Sequence, residues 1–252
     1  NRRGFLQQGK DIKYTMIKKK IFWHIQNYSY LCSEKSTKLL AMKKTILLIA
    51  FFLSSLLSFG QFVRVGDILC VQGTDTTIVH PQNYTGGAIG VVFYVDETGQ
   101  HGWVLHPQIQ ANQIYWSYEC VLPWGLTGWQ SIREAIYDLD GYDNTGFLRA
   151  ASQYDHNKYP GAWAVDYEHG WYWPALGQLN ILYGNATIVN NSLKIIGGTM
   201  MKGKWIYWSS SVYGFDNDCA LYSSYSGAMG AITKSRVELS GIGMSIRSIR
   251  NF

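Results

Sequence analysis

The stretch "MKKTILLIAFFLSSLLSFG", Met42 to Gly60, decides which part of this chain can supply a folded core. Two lysines precede an apolar run of about a dozen residues, and Ser58 and Gly60 form a small-residue exit, the pattern of an export signal. The run is shorter than the roughly 18–20 residues that span a bilayer, so a signal peptide over 42–60, cleaved before Gln61, is the expectation. No cysteine directly follows it, Cys70 lying ten positions past Gly60, so no lipid anchor is expected. Residues 1–41 begin at Asn1 and precede a start-like Met42; upstream read-through or a disordered basic segment is expected there. The fold is therefore sought in residues 61–252, as a single domain.

That division also reassigns the charge. The formal net charge of +5 suggests an affinity for nucleic acid or anionic membranes. Residues 1–60, however, hold eleven Lys or Arg against two acids, while residues 61–252 hold eleven against fifteen, a net −4. No nucleic-acid partner is expected, nor a membrane span once the signal is removed. Export permits disulfides, and Cys70, Cys120 and Cys219 allow at most one bridge with one thiol left over. No two of them form a CxxC pair, which argues against a zinc knuckle or a thioredoxin-type site.

In "AIGVVFYVDETGQHGWVLHP", Ile89, Val91, Phe93 and Val95 alternate before a polar turn and a return through Trp103 and Leu105, predicting a β-hairpin. "SIREAIYDLDG" predicts a short helix capped by Ser131, with Glu134 three residues on, ending before Gly141. "TGFLRAASQY" predicts a further turn or two. Pro174 and Gly184 bracket a helix burying Leu176, Leu179 and Tyr183, and "IVNNSLKIIGG" predicts another that exits at a double glycine. Beyond Met200 the text changes to short strands. Hairpin, helices and then a strand-rich tail make an α+β class, with no Rossmann or P-loop fingerprint and no internal repeat.

The catalytic and metal readings of the residues are thin. Ser209 to Ser211 lack a GxSxG turn and a local base. "DLDGYDNTG" places Tyr142 where a calcium loop needs an acid or amide, so a helix stop followed by an Asn-capped turn is the expectation. Asp155 beside His156 and Glu168 beside His169 are neighbours in sequence, and neighbouring side chains in extended chain point apart. No catalytic residue, metal or cofactor is assigned. The tail "VYGFDNDCALYSSYSG" instead mixes rigid amphipathic Tyr with adaptable Ser, Gly and Asn, as binding loops do. The candidate binding residues are Tyr213, Phe215, Asp216, Asn217, Asp218, Tyr222, Ser224 and Tyr225.

"VGDILC", "VVFYVDETGQHGW", "DLDGYDNT", "YPGAWAVDYEHGWYWPALGQLNILYGN", "YWSSS" and the terminal "IRSIRNF" occur here in the order found in a family of exported bacterial proteins. Over nearly all of residues 61–252 the chain resembles the C-terminal domain of a bacterial collagen-like adhesin and the allied Fibrobacter succinogenes major paralogous domain. The resemblance implies a C-type-lectin-like fold, two or three short helices flanking small antiparallel sheets, with ligands meeting the C-terminal half. It implies a scaffold role for "WYWPALGQLNILY". The chain has neither EPN or QPD nor WND, "FDND" being a partial echo, so calcium-mediated sugar binding is not expected. It also lacks the C-terminal cysteine pair of the fold's formylglycine-generating relative. The variable proteins of diversity-generating retroelements share this fold, and Tyr213 to Gly227 are all residue types with codons ending in a pyrimidine, which is compatible with diversification.

The function expected is a secreted, periplasmic or cell-surface adhesin-like domain, not an enzyme, that recognises a glycan or protein through that aromatic and polar surface. The alternatives are a structural component of fimbriae or the envelope, and an enzyme of hydrolase or thiol-oxidase type.

Overall fold

Residues 62–252 are described in the computed structural model, apart from residues 120, 202–204, 215–218, 225–226 and 240–241. In chain order the strands and helices begin with β1 (Ile68–Gln72), β2 (Asp75–Val79), β3 (Ala88–Val95), β4 (Gly102–Leu105), β5 (Ala111–Asn112) and β6 (Gly128–Trp129). Helices α1 (Ile132–Ala135), α2 (Gly141–Ala151), α3 (Pro160–Ala164), α4 (Leu176–Gly184) and α5 (Ala186–Ile195) follow. The chain ends in β7 (Ile206–Tyr213), β8 (Cys219–Ser224), β9 (Met229–Thr233), β10 (Glu238–Leu239), β11 (Ile242–Ile246) and β12 (Ile249–Asn251).

The first sheet runs β12-β4-β3-β1-β2 and is antiparallel throughout. The second runs β10-β11-β7-β8-β9, with β5 beside β11 and β6 beside β7. The α+β class holds, with two differences from the reading above. Five α-helices are present among the described residues rather than two or three, and the second sheet is mixed, because β7 pairs in parallel with both β11 and β6.

The hairpin of β3 and β4 forms where the alternation places it, yet the alternation does not describe its packing. Val91 and Phe93 enter a core with Leu179, Leu182, Val189 and Leu193, whereas Ile89, Val92 and Val95 pack with Leu69, Val104 and Trp171 on the other side. Register irregularities against β1, opposite Gly90 and Ala88, and against β4, between Val92 and Tyr94, change the faces, and both sides of the sheet are covered. Ser131 caps α1 as read, its Oγ accepting from the Glu134 N–H at 3.2 Å.

The predicted helix between Ser131 and Gly141 is cut short after one turn, and the expected turn at "DLDGYDNTG" is helical from Gly141. The cause is tertiary. Gly177 packs against the carbonyls of Ile136 and Asp138 and donates its N–H to the Asp138 carbonyl at 3.0 Å, so that carbonyl serves α4 rather than α1. Helix α4 starts at Leu176, two residues after Pro174, with the Gln178 side-chain oxygen accepting the Ala175 N–H at 3.0 Å.

"WYW" then distributes one aromatic to each of three cores. Trp171 packs with Leu69, Val92 and Val104, Tyr172 with Val91, Phe93 and Ile249, and Trp173 with Trp116, Trp208 and Val212. Arg247 is 1% exposed, and its guanidinium donates to the carbonyls of His106 and Pro107 at 3.0 and 2.9 Å and to the Tyr207 hydroxyl at 3.4 Å. A buried cation needs its donors occupied, and these acceptors tie the end of β11 to the segment after β4.

Candidate functional site

The serines of "YWSSS" are structural. Ser209 donates to the Leu221 carbonyl at 2.8 Å, Ser210 accepts from the Asn144 amide at 3.3 Å, and Ser211 donates to Asp138 at 2.6 Å while accepting the Leu176 N–H at 2.9 Å. Asp138 is the hub, also accepting from Trp129 Nε1 at 3.1 Å, Asn144 Nδ2 at 3.2 Å and the Asp140 N–H at 3.1 Å. This buried network fixes the end of the second sheet at which β6 meets the last residues of β7. Trp129 stands in register with Tyr213 there, and the Gly214 N–H donates to the Trp129 carbonyl at 2.8 Å. Glycines at 128 and 214 are required, because a Cβ on Gly214 would collide with the Gly128 backbone.

Tyr213 is half-buried at this end, packed with Trp129, Ile132 and Ile136 around Leu176 and Leu221. Tyr222 belongs to the opposite face of the sheet. It joins the core of Val212 and Ala220, its ring edge-on to Trp208 at 6.4 Å. Ser224 lies at the far end of β8, opposite Ile206, where its N–H donates to the Ala228 carbonyl at 2.7 Å to close a turn. The three residues therefore do not share one surface. Phe215, Asp216, Asn217, Asp218 and Tyr225 lie outside the described residues.

Beside the Tyr213 end stands a group the sequence reading passed over. The Leu126 N–H donates to the Pro123 carbonyl at 3.2 Å and Gly125 has φ +88°, a turn with glycine at its third position and Trp124 at its second. That apex leaves Trp124 84% exposed, and Phe147 of α2 meets the indole edge-on at 6.1 Å and 90°. Leu122 from the same loop reaches over Gly128. A lone Trp in a loop has no periodicity to mark it; the "PWG" turn was the available signal.

The loop is tethered at several points. Lys234 Nζ donates to the Val121 carbonyl at 2.6 Å, Glu119 pairs with Lys158 at 2.8 Å, and Tyr118 donates to Asp155 at 2.6 Å. The last bond pushes the Tyr118 phenol up to about 12 and holds the Asp155 carboxyl below its usual range. The Tyr118 contribution is therefore present below the ordinary phenol value, about 10, and is lost as pH rises through the folded one. That of Asp155 is present above the ordinary carboxyl range and is lost as pH falls through its folded value. In a 295 nm titration, Asp155→Asn should bring one tyrosine from about 12 back toward the ordinary value. Superimposable titrations of the two proteins would show that this tether is absent.

The sequence neighbours Asp155 and His156 turn to different partners, His156 stacking on Trp163 at 3.4 Å. Glu168 pairs with Arg149 at 3.1 Å, and His169 with Asp166 at 2.8 Å. Cys70 is buried and unbridged, burial pushing its thiol up, and Cys120 lies outside the described residues. A separate hollow of about 270 Å³ lies between the turn at Gly66 and α5. His80 lines it, with Nδ1 2.6 Å from the buried Asp67, whose carboxylate also accepts the Arg64 N–H at 2.9 Å. No described helix is long and apolar enough to cross a membrane. Neither a scan against protein-family models nor a search of the curated proteins gives a match to this chain.

Proposed function

We propose that residues 61–252 form a C-type-lectin-like ligand-binding domain of an exported, surface-exposed, adhesin-like protein, recognising a glycan or protein without catalysis or a cofactor. The fold reading is supported by the placement of an early hairpin and the last strand in one sheet, by helices clustered between β6 and β7, and by a strand-rich C-terminal half. Export rests on the Met42–Gly60 segment. The observation that carries the binding reading is the β6–β7 end. Tyr213 and the strand termini are held there by a buried hydrogen-bond network beside an exposed, braced Trp124. Rigid aromatic groups at a loop end supply contact area at low entropic cost.

Tyr213 and Tyr222 are both half-buried but lie on opposite faces of the second sheet, so a ligand at the Tyr213 face should not touch Tyr222. Screening the full chain against glycan and envelope-protein panels, with and without calcium, supplies the ligand. Tyr213→Ala should then weaken binding about tenfold, as loss of an aromatic anchor does. Tyr222→Ala should leave affinity within about twofold and lower unfolding stability by about 1–2 kcal/mol through lost packing of a half-buried ring. Unchanged affinity in Tyr213→Ala would remove this end of the sheet from the binding surface.

A further inference from the structure

We propose that the hollow between the Gly66 turn and α5 binds a small aliphatic monocarboxylate, with His80 and Arg64 holding the carboxylate and Ile188 and Ile195 receiving the tail. None of its lining residues belongs to the β6–β7 end, so the site is independent of the Tyr213 surface. Its walls are fixed without a ligand. The Ser192 hydroxyl of α5 donates to the Gly66 carbonyl at 2.5 Å, and the Gly66 N–H donates to the Val92 carbonyl at 2.8 Å. Gly66, at φ +96°, lies so close to α5 that a Cβ would stand 2.7 Å from Ile188 Cγ2. The hollow of about 270 Å³ falls below the roughly 300–1,000 Å³ of drug-sized sites, so its occupant is small.

The chemistry of the occupant follows from which groups are already taken. Asp67, its side chain 4% exposed, accepts the Arg64 N–H at Oδ2 and meets His80 Nδ1 at Oδ1, 2.6 Å away. An ionised carboxylate only accepts, so Nδ1 carries the proton of that bond and a ligand reaches the ring through Nε2. The other charged residue lining the hollow is Arg64, and among the described residues no hydrogen bond or ion pair engages its guanidinium. An ammonium ligand would meet that cation with no exposed acid to offset it, whereas an anion is attracted. On binding, Nε2 takes up one proton from solution, and the imidazolium then lies between the ligand carboxylate and Asp67, which both stabilise it. From α5 the hollow is faced only by uncharged residues, Ile188, Asn191, Ser192 and Ile195. Ile188 and Ile195 are 49% and 51% exposed and two turns apart on one face of the helix, an apolar wall for an aliphatic tail.

The test is titration calorimetry of the full chain with isocaproate and N-acetyl-leucine, each in two buffers of different ionisation enthalpy. At least one of these acids should bind with Kd at or below about 1 mM, the strength open to so small a ligand. Binding should take up protons and should be tighter at about pH 6 than at about pH 8. Acetate, which lacks the tail, and isocaproamide, which lacks the charge, should each bind at least about tenfold more weakly. Arg64→Gln, at an exposed position where the melting temperature should not change, should weaken binding about tenfold. His80→Gln should abolish both the proton uptake and the pH dependence. Tighter binding of N-acetyl-leucine supports the proposal with a peptide C-terminus as the source of the carboxylate, and tighter binding of isocaproate supports it with a free acid. Failure of both acids to bind at about 10 mM overturns the proposal, as does binding that takes up no proton or that Arg64→Gln leaves unchanged. Each of those failures leaves the Tyr213 surface standing.

Discussion

Asp138→Ala is expected to lose about 3–5 kcal/mol of unfolding stability, the cost of removing the hub of a buried charged network. Three side-chain donors and one backbone N–H converge on this carboxylate, from Trp129, Asn144, Ser211 and Asp140. Alanine would remove the acceptor those four donors share. An unsatisfied buried donor costs about 1–3 kcal/mol, against about 1 kcal/mol for an ordinary hydrogen bond, so the penalty exceeds the sum of the bonds removed. Asp138→Asn keeps an acceptor and should fall between wild type and alanine. Ser211→Ala should cost only about 1–2 kcal/mol.

Urea unfolding measures these differences as shifts of the midpoint at constant slope. A loss below about 1 kcal/mol in Asp138→Ala would show that the network does not hold the sheet end. The variant should also weaken ligand binding, because the carboxylate orients the Trp129 indole that packs with Tyr213. Trp124 sits on its own turn and should keep its exposure.

Where the sequence was legible, a local signal agreed with the tertiary outcome. Alternation marked β3, the Ser131 cap marked α1, and Gly184 marked the break between α4 and α5. The failures each involve a partner distant in sequence. Residues 141–144 read as a helix stop and turn because nothing nearby reveals that Asp138 binds Ser211 across 73 positions, or that the Asp138 carbonyl is taken by Gly177. The candidate binding residues were grouped by composition. A register shift between Trp208 and Val212 and the two-residue period of β8 decide instead that Tyr213 faces Leu221 while Tyr222 faces Val212. Trp124 had no periodic context at all, and its exposure follows from a turn and from Phe147, 23 residues on.

The same dependence on distant partners makes Trp173 the side chain whose loss should be felt most in the core. "WYWPALGQL" reads as scaffold, and its three aromatics are sent to three cores by one extended segment, pinned where Tyr172 bridges Ile249. Trp173 is fully buried, contacts Trp116 at 5.6 Å, lies against Gly161 of α3 and donates Nε1–H to the Trp208 carbonyl at 2.8 Å. Trp173→Ala should therefore cost about 3–5 kcal/mol, combining lost transfer energy with a cavity that two rigid helices and a sheet cannot collapse. Trp171→Ala should cost less, because its core is smaller and lies nearer solvent.

Near-UV circular dichroism should separate the two variants as well. Trp173→Ala should lose the signal of the packed Trp116, Trp173 and Trp208 indoles, and Trp171→Ala should keep it. Equal destabilisation by the two would mean that the cores act as one cooperative unit, and the division of "WYW" among them would carry no energetic meaning. Unequal losses in the stated order would instead make Trp173 the post on which the second sheet is mounted. Its bond to Trp208 sits in the strand that ends at Tyr213, so its loss should reach the ligand-facing end through β7 itself.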